Sequence, residues 1–453
     1  MMIQRLLFRR LGGLLFLAWF LSMSGVCNAF ENQFGGYFRT RAYTETNFTG
    51  EDVTEAKDLD RIDTRSRIFY TAKFSDNLKF VNKFEMNAVW GGAGTYGQLG
   101  ADGANVVVKN SYVDFKMSDI RFSVGVQDFV LARGYLFNDD IAGVKAVYKV
   151  SDAVMLPIYY LKMYEGGAGK NADDYDLDAW IFYPLFYLNK ETTLKPHFAW
   201  IGSDNYSQAS TKGYVMNRIP GATKLDVYSG GLEIDSKMGA YSVGATGIFQ
   251  FGSIDVPAAA YNGHDSLDFK GYLVDVFGSA NFGMPTLRIK GIYASGNDRD
   301  SYANGHVDAF FNPGGPGATG TGAQYSWAEI MGLGIFDSFG IATADDPKGL
   351  YADKISNRII GNLGVTCSLT KDLKVAADLW YAKTAKDVKL VDGTYGDELG
   401  TEFDVVMSYV LVDNLKLDLV GAYLWAGDVV NKAVSATNAA DPYEFGAQLS
   451  LAF

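Results

Sequence analysis

From residue 30 onward the chain repeatedly alternates apolar and polar side chains, and no stretch sustains a 3.6-residue apolar period. In residues 60–74 the odd positions carry Arg61, Asp63, Arg65, Arg67 and Lys73, whereas the even positions carry Ile62, Ile68, Tyr70, Ala72 and Phe74. Successive side chains of a strand point to opposite faces, so this segment has a charged face and a largely apolar one. Residues 443–453 divide the same way, with Glu444, Gln448 and Ser450 opposite Tyr443, Phe445, Leu449, Leu451 and Phe453. Residues 415–425 set Lys416 and Asp418 against Leu415, Leu417, Leu419 and Trp425.

Eight tight polar turns punctuate the pattern, among them Ser75-Asp76-Asn77, Ser118-Asp119, Gly283-Met284-Pro285 and Asp413-Asn414. They alternate with nine longer Gly-, Asp- and Asn-rich connections near 46–59, 91–104, 129–140, 165–173, 203–224, 252–265, 298–353, 386–398 and 428–441. Seventeen connections join eighteen strands, short at one end and long at the other, which is the layout of a transmembrane β-barrel. The expected fold is therefore all-β: one antiparallel barrel over residues 30–453. Its strands of 10 to 14 residues match the roughly 9–11 that a tilted strand needs to cross a bilayer. Aromatic residues gather at strand ends (Phe74, Phe80, Trp90, Tyr293, Tyr381, Tyr409, Tyr423, Trp425), where membrane–water interfaces favour them. A large soluble propeller or solenoid would also alternate, but dense charge on the polar face suits a wet lumen better than a packed core. Closure follows from physics, because each unpaired backbone group in hydrocarbon costs several kcal/mol.

Composition narrows the function. Hydrophobic types make up 48% of the 453 residues and the net charge is −12, which excludes a disordered chain and disfavours nucleic-acid binding. Only residues 1–29 form a long apolar run, with Arg5, Arg9 and Arg10 before it and Ala29 at the expected cleavage point, as in a secretory signal peptide. Processing there leaves 37 basic against 52 acidic residues, or −15, and Cys367 as the one cysteine.

The leader, the hairpin series and the alternating terminus ending in Phe453 together resemble a Gram-negative outer-membrane porin. Residues 120–143 are similar to a segment of substrate-selective and alginate-export-type channels through Gly125, Gln127, Asp140 and Gly143, with Val126 standing where that family usually has Arg. The resemblance implies an outer-membrane location among lipid and lipopolysaccharide, a homo-oligomer such as a trimer, and an inward-folded third long loop at residues 129–140.

The polar faces supply a charge map. The first five strands place Arg39, Arg41, Arg61, Arg65, Arg67, Lys73, Lys79, Lys83, Lys116 and Arg121 toward the lumen, opposed there by Asp63, Glu85 and Asp114. Later strands place Asp174, Asp176, Asp178, Glu233, Asp235, Asp378, Glu402, Asp404, Asp418 and Glu444 inward. A basic wall facing an acidic one sets a transverse field that orients polar solutes. The expected constriction draws on Arg39, Arg41, Arg65, Arg67, Lys83, Glu85 and Arg121, with Arg133, Asp139 and Asp140 from the 129–140 loop. The 298–353 connection is too long for a plain hairpin loop, and its apolar part, 325–339, is expected to plug or cap the barrel or to contact another protomer.

No catalytic constellation emerges. His197, His264 and His306 are scattered, there is no G-x-S-x-G elbow, and the two G-x-G-x-x-G matches lack a following helix. Asp174, Asp176 and Asp178 form a weak Ca²⁺ candidate beside the plainer reading of a solvated strand end. No cofactor is expected. The expectation is a passive channel for small hydrophilic solutes or ions. Its rivals are a selective exporter of acidic polysaccharide and a sleeve around a periplasmic electron-transfer protein.

Overall fold

The computed structural model describes residues 30–453 apart from 53–57, 95, 101–102, 104, 166–175, 206–218, 313–324, 337–339, 347–348, 350–354 and 436. The expected leader, Asp174 and the Gly-rich stretch 313–317 lie outside the described residues.

The first seven crossings are β1 (Glu31–Thr46), β2 (Leu59–Ser75), β3 (Leu78–Val89), β4 (Val106–Met117), β5 (Ile120–Leu131), β6 (Phe137–Ser151) and β7 (Val154–Tyr164). The crossing β8 comes in two pieces, Leu177–Phe182 and Leu185–Tyr187, broken at Pro184, which has no N–H for the ladder. It is followed by β9 (Thr192–Ser203), β10 (Leu225–Met238) and β11 (Tyr241–Asp255). The crossing β12 is again split, into Ser266–Phe269 and Tyr272–Asn281. The series ends with β13 (Pro285–Ala294), β14 (Arg358–Ser368), β15 (Leu373–Lys389), β16 (Tyr395–Val412), β17 (Leu415–Ala426) and β18 (Tyr443–Ala452). A two-residue piece, His306–Val307, adds in parallel beside Asp268 and Phe269 at the long-loop rim.

Every crossing pairs antiparallel with the next, and β1 pairs with β18 from Tyr37↔Ala452 to Thr46↔Tyr443, so the eighteen-stranded sheet has no free edge. Among the described residues no helix is long and apolar enough to cross a membrane, and the crossing elements are strands. Register sorts the faces. Arg39↔Arg65, Arg65↔Asn87 and Arg41↔Gln448 are direct partners, so their side chains share the inner face. The opposite face exposes Phe34, Phe249, Val276, Ile289, Leu363 and Phe445 as a lipid-facing apolar band. Phe74, Tyr241 and Tyr409 edge this band at the short-turn end, and Trp90, Trp180 and Trp425 edge it at the long-loop end.

Two expected loops are shorter than the sequence pattern implied. Strand pairing continues to Leu131 and resumes at Phe137, leaving five connecting residues, 132–136; likewise β15 and β16 flank only residues 390–394. The interior is also drier at its long-loop end than a simple water-filled tube. Leu131, Tyr135, Leu136 and Phe137 pack with Leu161, Ile181, Ile201, Leu225 and Phe310 into one buried apolar cluster against β7–β12. That cluster removes the upper half of this side of the barrel from the solvent path.

Candidate functional site

The basic wall forms where β1–β6 turn charged positions inward. Arg67 donates to Glu85 at 2.6 Å, Arg65 donates to Asn87 at 2.7 Å, and Lys83 donates to Asp128 at 2.8 Å. Lys109 pairs with Asp140 and Arg121 with Asp114. Asn110 donates to both Asp140, at 2.8 Å, and Asp128, at 3.4 Å. Arg67, Lys83, Lys109, Asp128, Asp139 and Asp140 line an open polar pocket of about 150 Å³. Backbone pairing of β4 with β5 ends at Ser111↔Val126, and above that point the bonds of Lys83, Lys109 and Asn110 bridge β3 and β4 to β5 and β6. Arg39 is buried on β1, and Arg41 is buried too, donating to Asp63 at 2.9 Å and 2.6 Å.

Arg133 and its neighbours cross the interior. Ala132 and Arg133 both take left-handed backbone angles, φ 52° and 56°, and Gly134 follows at φ 92°. L-residues avoid that region, at a cost of about 1–3 kcal/mol each, so surrounding contacts must hold the turn. They do: Arg133 donates to Thr246 at 2.7 Å, to Asp235 at 2.8 Å and to the Ile234 carbonyl at 3.2 Å, and its guanidinium lies 4.7 Å from the Phe277 ring centre. Arg133 is thus a tether from the β5–β6 connection to β10–β12. The sequence reading placed it, with Asp139, at the opening.

The acidic wall lies on β15–β18 and β1, and a segment of the long connection covers it. Glu402 accepts the backbone N–H groups of Ile330 at 2.7 Å and Met331 at 2.8 Å, and Asp404 accepts that of Glu329 at 3.3 Å. Phe336 stacks on Tyr43 with ring centres 4.7 Å apart, while Arg41 donates to the carbonyls of Ile335 and Phe336. At the other end Tyr325 stacks on Tyr135 at 4.3 Å and accepts from Lys290, and Trp327 meets Trp380 edge-on at 5.5 Å. Segment 325–336 and connection 132–136 therefore meet inside the barrel. Sequence alone missed this segment's Glu329, and also Lys109.

The two walls differ in access. The side chains of Arg65, Arg67 and Arg121 are 24%, 30% and 44% exposed. Glu402, Asp418, Glu45, Glu444 and Asp404 lie between 0% and 4%. The expected field is thus uneven: Arg65, Arg67 and Arg121 reach the solvent while Arg39 and Arg41 are buried, and of Asp378, Glu402, Asp404, Asp418 and Glu444 opposite them only Asp378 is partly exposed.

One acidic residue expected in the lumen is not there. Asp178 shares the outer face with Trp180, because Ala179 and Ile181 take the inward positions of β8. Lys162 on the same outer face bonds both Asp176 and Asp178, the two described members of the Ca²⁺ candidate. Among the described residues no group of three or more His, Cys, Asp or Glu is arranged to hold a metal. His197 is buried on β9 beside Tyr183, away from any nucleophile pairing.

No family model matches the chain, and no curated protein matches it. Solved structures do. The outer membrane protein opdK from Pseudomonas aeruginosa is 11% identical, with 93% of this chain and 99% of that chain covered at a TM-score of 0.54. Acinetobacter baumannii OccAB3 is 8% identical over 93% and 99%, with a TM-score of 0.55. Pseudomonas aeruginosa OpdK with vanillate is 12% identical over 93% and 98%, with a TM-score of 0.53. The chain is thus similar in fold, as a closed eighteen-stranded antiparallel barrel, to outer-membrane porins of the Occ and Opd type.

Proposed function

We propose that the protein is an outer-membrane diffusion channel for small hydrophilic solutes, with a preference for anions. The observation that carries this reading is the unequal access of the two walls: Arg65, Arg67 and Arg121 reach the solvent path while Glu402, Asp404, Asp418 and Glu444 of β16–β18 are covered. Lining charge of one sign concentrates the opposite ion and lowers its entry barrier. The vanillate held by one similar structure is a carboxylate, in keeping with that sign. Among the described residues no metal cluster supports an enzyme reading, and the similar structures are outer-membrane channels. Residues 1–29 would direct the chain across the inner membrane, and the apolar outer band would seat it among outer-membrane lipid and lipopolysaccharide, as a homo-oligomer in the trimeric manner of porins.

Of the earlier rivals, a polymer exporter would use the same basic wall but needs a wider passage than one narrowed by two inward segments. A sleeve around an electron-transfer protein needs an emptier lumen still. Liposome swelling tests the reading. Vesicles carrying the folded protein should admit small monocarboxylates faster than neutral sugars of equal size, and large polysaccharides not at all. Equal impermeability to every solute would overturn it.

A further inference from the structure

Segment 325–336 contributes more than bulk to the lumen. It is the element that covers the acidic wall, and its seat there is electrostatically strained. Glu329 enters a site whose walls already carry Asp378 on β15, Asp404 on β16 and Asp418 on β17. Glu444 on β18 faces Glu329, Glu45 and Asp404. The cations at the margin bind other carboxylates of the wall: Arg41, which also lies near Glu444, binds Asp63, Lys416 binds Asp418 at 2.9 Å, and Arg288 binds Asp378 at 2.6 Å. Among the described residues Glu329, Glu402, Asp404 and Glu444 form no ion pair with a Lys or Arg. Like charges gathered out of water oppose one another, so the seated segment is held against a standing repulsion.

What holds it is side-chain packing and a few hydrogen bonds: buried Ala328, Ile330, Met331 and Phe336, three backbone N–H bonds to Glu402 and Asp404, the Phe336–Tyr43 stack, the Arg41 bonds to two carbonyls, the Trp327–Trp380 contact, and at the far end the tyrosine stack with the Lys290 bond to Tyr325. No strand pairing ties residues 325–336 to the wall. The wall beneath is paired without a break from Asp378↔Asp404 through Glu402↔Leu424 to Ala422↔Glu444.

We infer that segment 325–336 is a selectivity gate, seated to mask the acidic wall and released to expose it, so that release both widens the passage and moves its preference from anions toward cations. The inference rests on the channel reading above. It differs from a plain constriction in one respect: removal of a steric plug raises conductance and leaves the ion preference alone, whereas removal of this segment changes the sign of half the lining.

Planar-bilayer recording in a KCl gradient, with folding checked by heat-modifiable gel migration, separates the possibilities. Phe336→Ala removes the stack on Tyr43 and leaves every wall charge in place. It is expected to populate a larger conductance level and to lower the chloride-to-potassium permeability ratio about threefold or more, as charge-lined pores respond to lining charge. Glu329→Gln removes the repelled carboxylate from the segment, and its amide oxygen still accepts from Ile335 N–H, which lies 2.7 Å from the Glu329 carboxylate. This variant is expected to make the larger level about tenfold rarer. A larger conductance in Phe336→Ala with an unchanged permeability ratio would overturn the gate, as would identical records from wild type and both variants. Folded wild-type protein that conducts nothing would overturn the channel reading itself, a different and recognisable failure.

Discussion

The tether made by Arg133 offers the sharpest quantitative prediction. Arg133→Ala deletes charge-assisted hydrogen bonds to Thr246 and Asp235, a bond to the Ile234 carbonyl and the contact with Phe277. A hydrogen bond from a charged group contributes about 1.5–3 kcal/mol, and Glu233, buried and 3.9 Å from the guanidinium, loses one of its two cations. The loss falls on a turn that already bears two left-handed L-residues, Ala132 and Arg133. The burial of Leu131, Tyr135, Leu136 and Phe137 opposes release. Weighing these, local opening of 132–136 becomes easier by about 3–4 kcal/mol, or on the order of 10²–10³ in its equilibrium. Two amides report it: Tyr135 N–H bonds Ala132 at 2.9 Å, and Leu136 N–H bonds Leu131 at 3.4 Å. Hydrogen exchange in detergent or nanodiscs should show both accelerated by that factor, with the β-ladder amides of β14 and β15 unchanged. Arg133→Lys should restore only part of the protection, since an ammonium cannot supply the planar fork. Unaltered protection at Tyr135 and Leu136, or a loss spread evenly over the barrel, would refute the tether.

Three further outcomes follow from the same geometry. Ile289 is 64% exposed on the outer face, so Ile289→Arg should destabilise folding into vesicles by about 2–4 kcal/mol, while Thr193→Arg on the inner face should change it by no more than about 0.5 kcal/mol; equal effects would contradict the assignment of faces. Burial among carboxylates pushes Glu329 up to about 7, so the seated segment holds a proton that the released one gives up. Seating is therefore unopposed by this group below the ordinary carboxylate range and weakens by up to about tenfold per pH unit as pH rises towards about 7; a larger conductance level whose occupancy ignores pH between 5 and 8 would contradict this. Asp392, in the β15–β16 connection, is held down to about 2 by the Thr394 hydroxyl and N–H, with Lys432 beside it. Its contribution is present above the ordinary carboxylate value and lost only as pH falls through about 2, so a carboxyl NMR titration centred near 4 would show the contact to be absent.

Much of the barrel was readable because a strand writes its two faces into adjacent residues. Arg61, Asp63, Arg65 and Arg67 on β2, and Glu444, Gln448 and Ser450 on β18, point inward as the alternation implied, and the short turns fall where Ser, Asp, Asn and Gly cluster. The reading failed where charge was taken as a sign of the inner face. Asp178 lies outside because the outer rim accepts a Lys162–Asp178 pair beside Tyr160 and Trp180. It also failed for contacts between residues far apart in sequence. Nothing local to Glu402 reveals that the N–H groups of Ile330 and Met331 close upon it, or that Arg133 reaches Asp235. Those contacts decide which of two similarly charged walls meets water, and they depend on how two connections fold back into the lumen.

The proposed anion preference rests on Arg65, Arg67 and Lys83 of the basic wall. Its most direct test is the zero-current potential of the wild-type channel in a KCl gradient near neutral pH, compared with that of a variant carrying Arg65→Gln, Arg67→Gln and Lys83→Gln. The account predicts chloride preference in the wild type and a clear loss of it in the variant. Cation preference in the wild type, or a potential that the three substitutions leave unmoved, would contradict it.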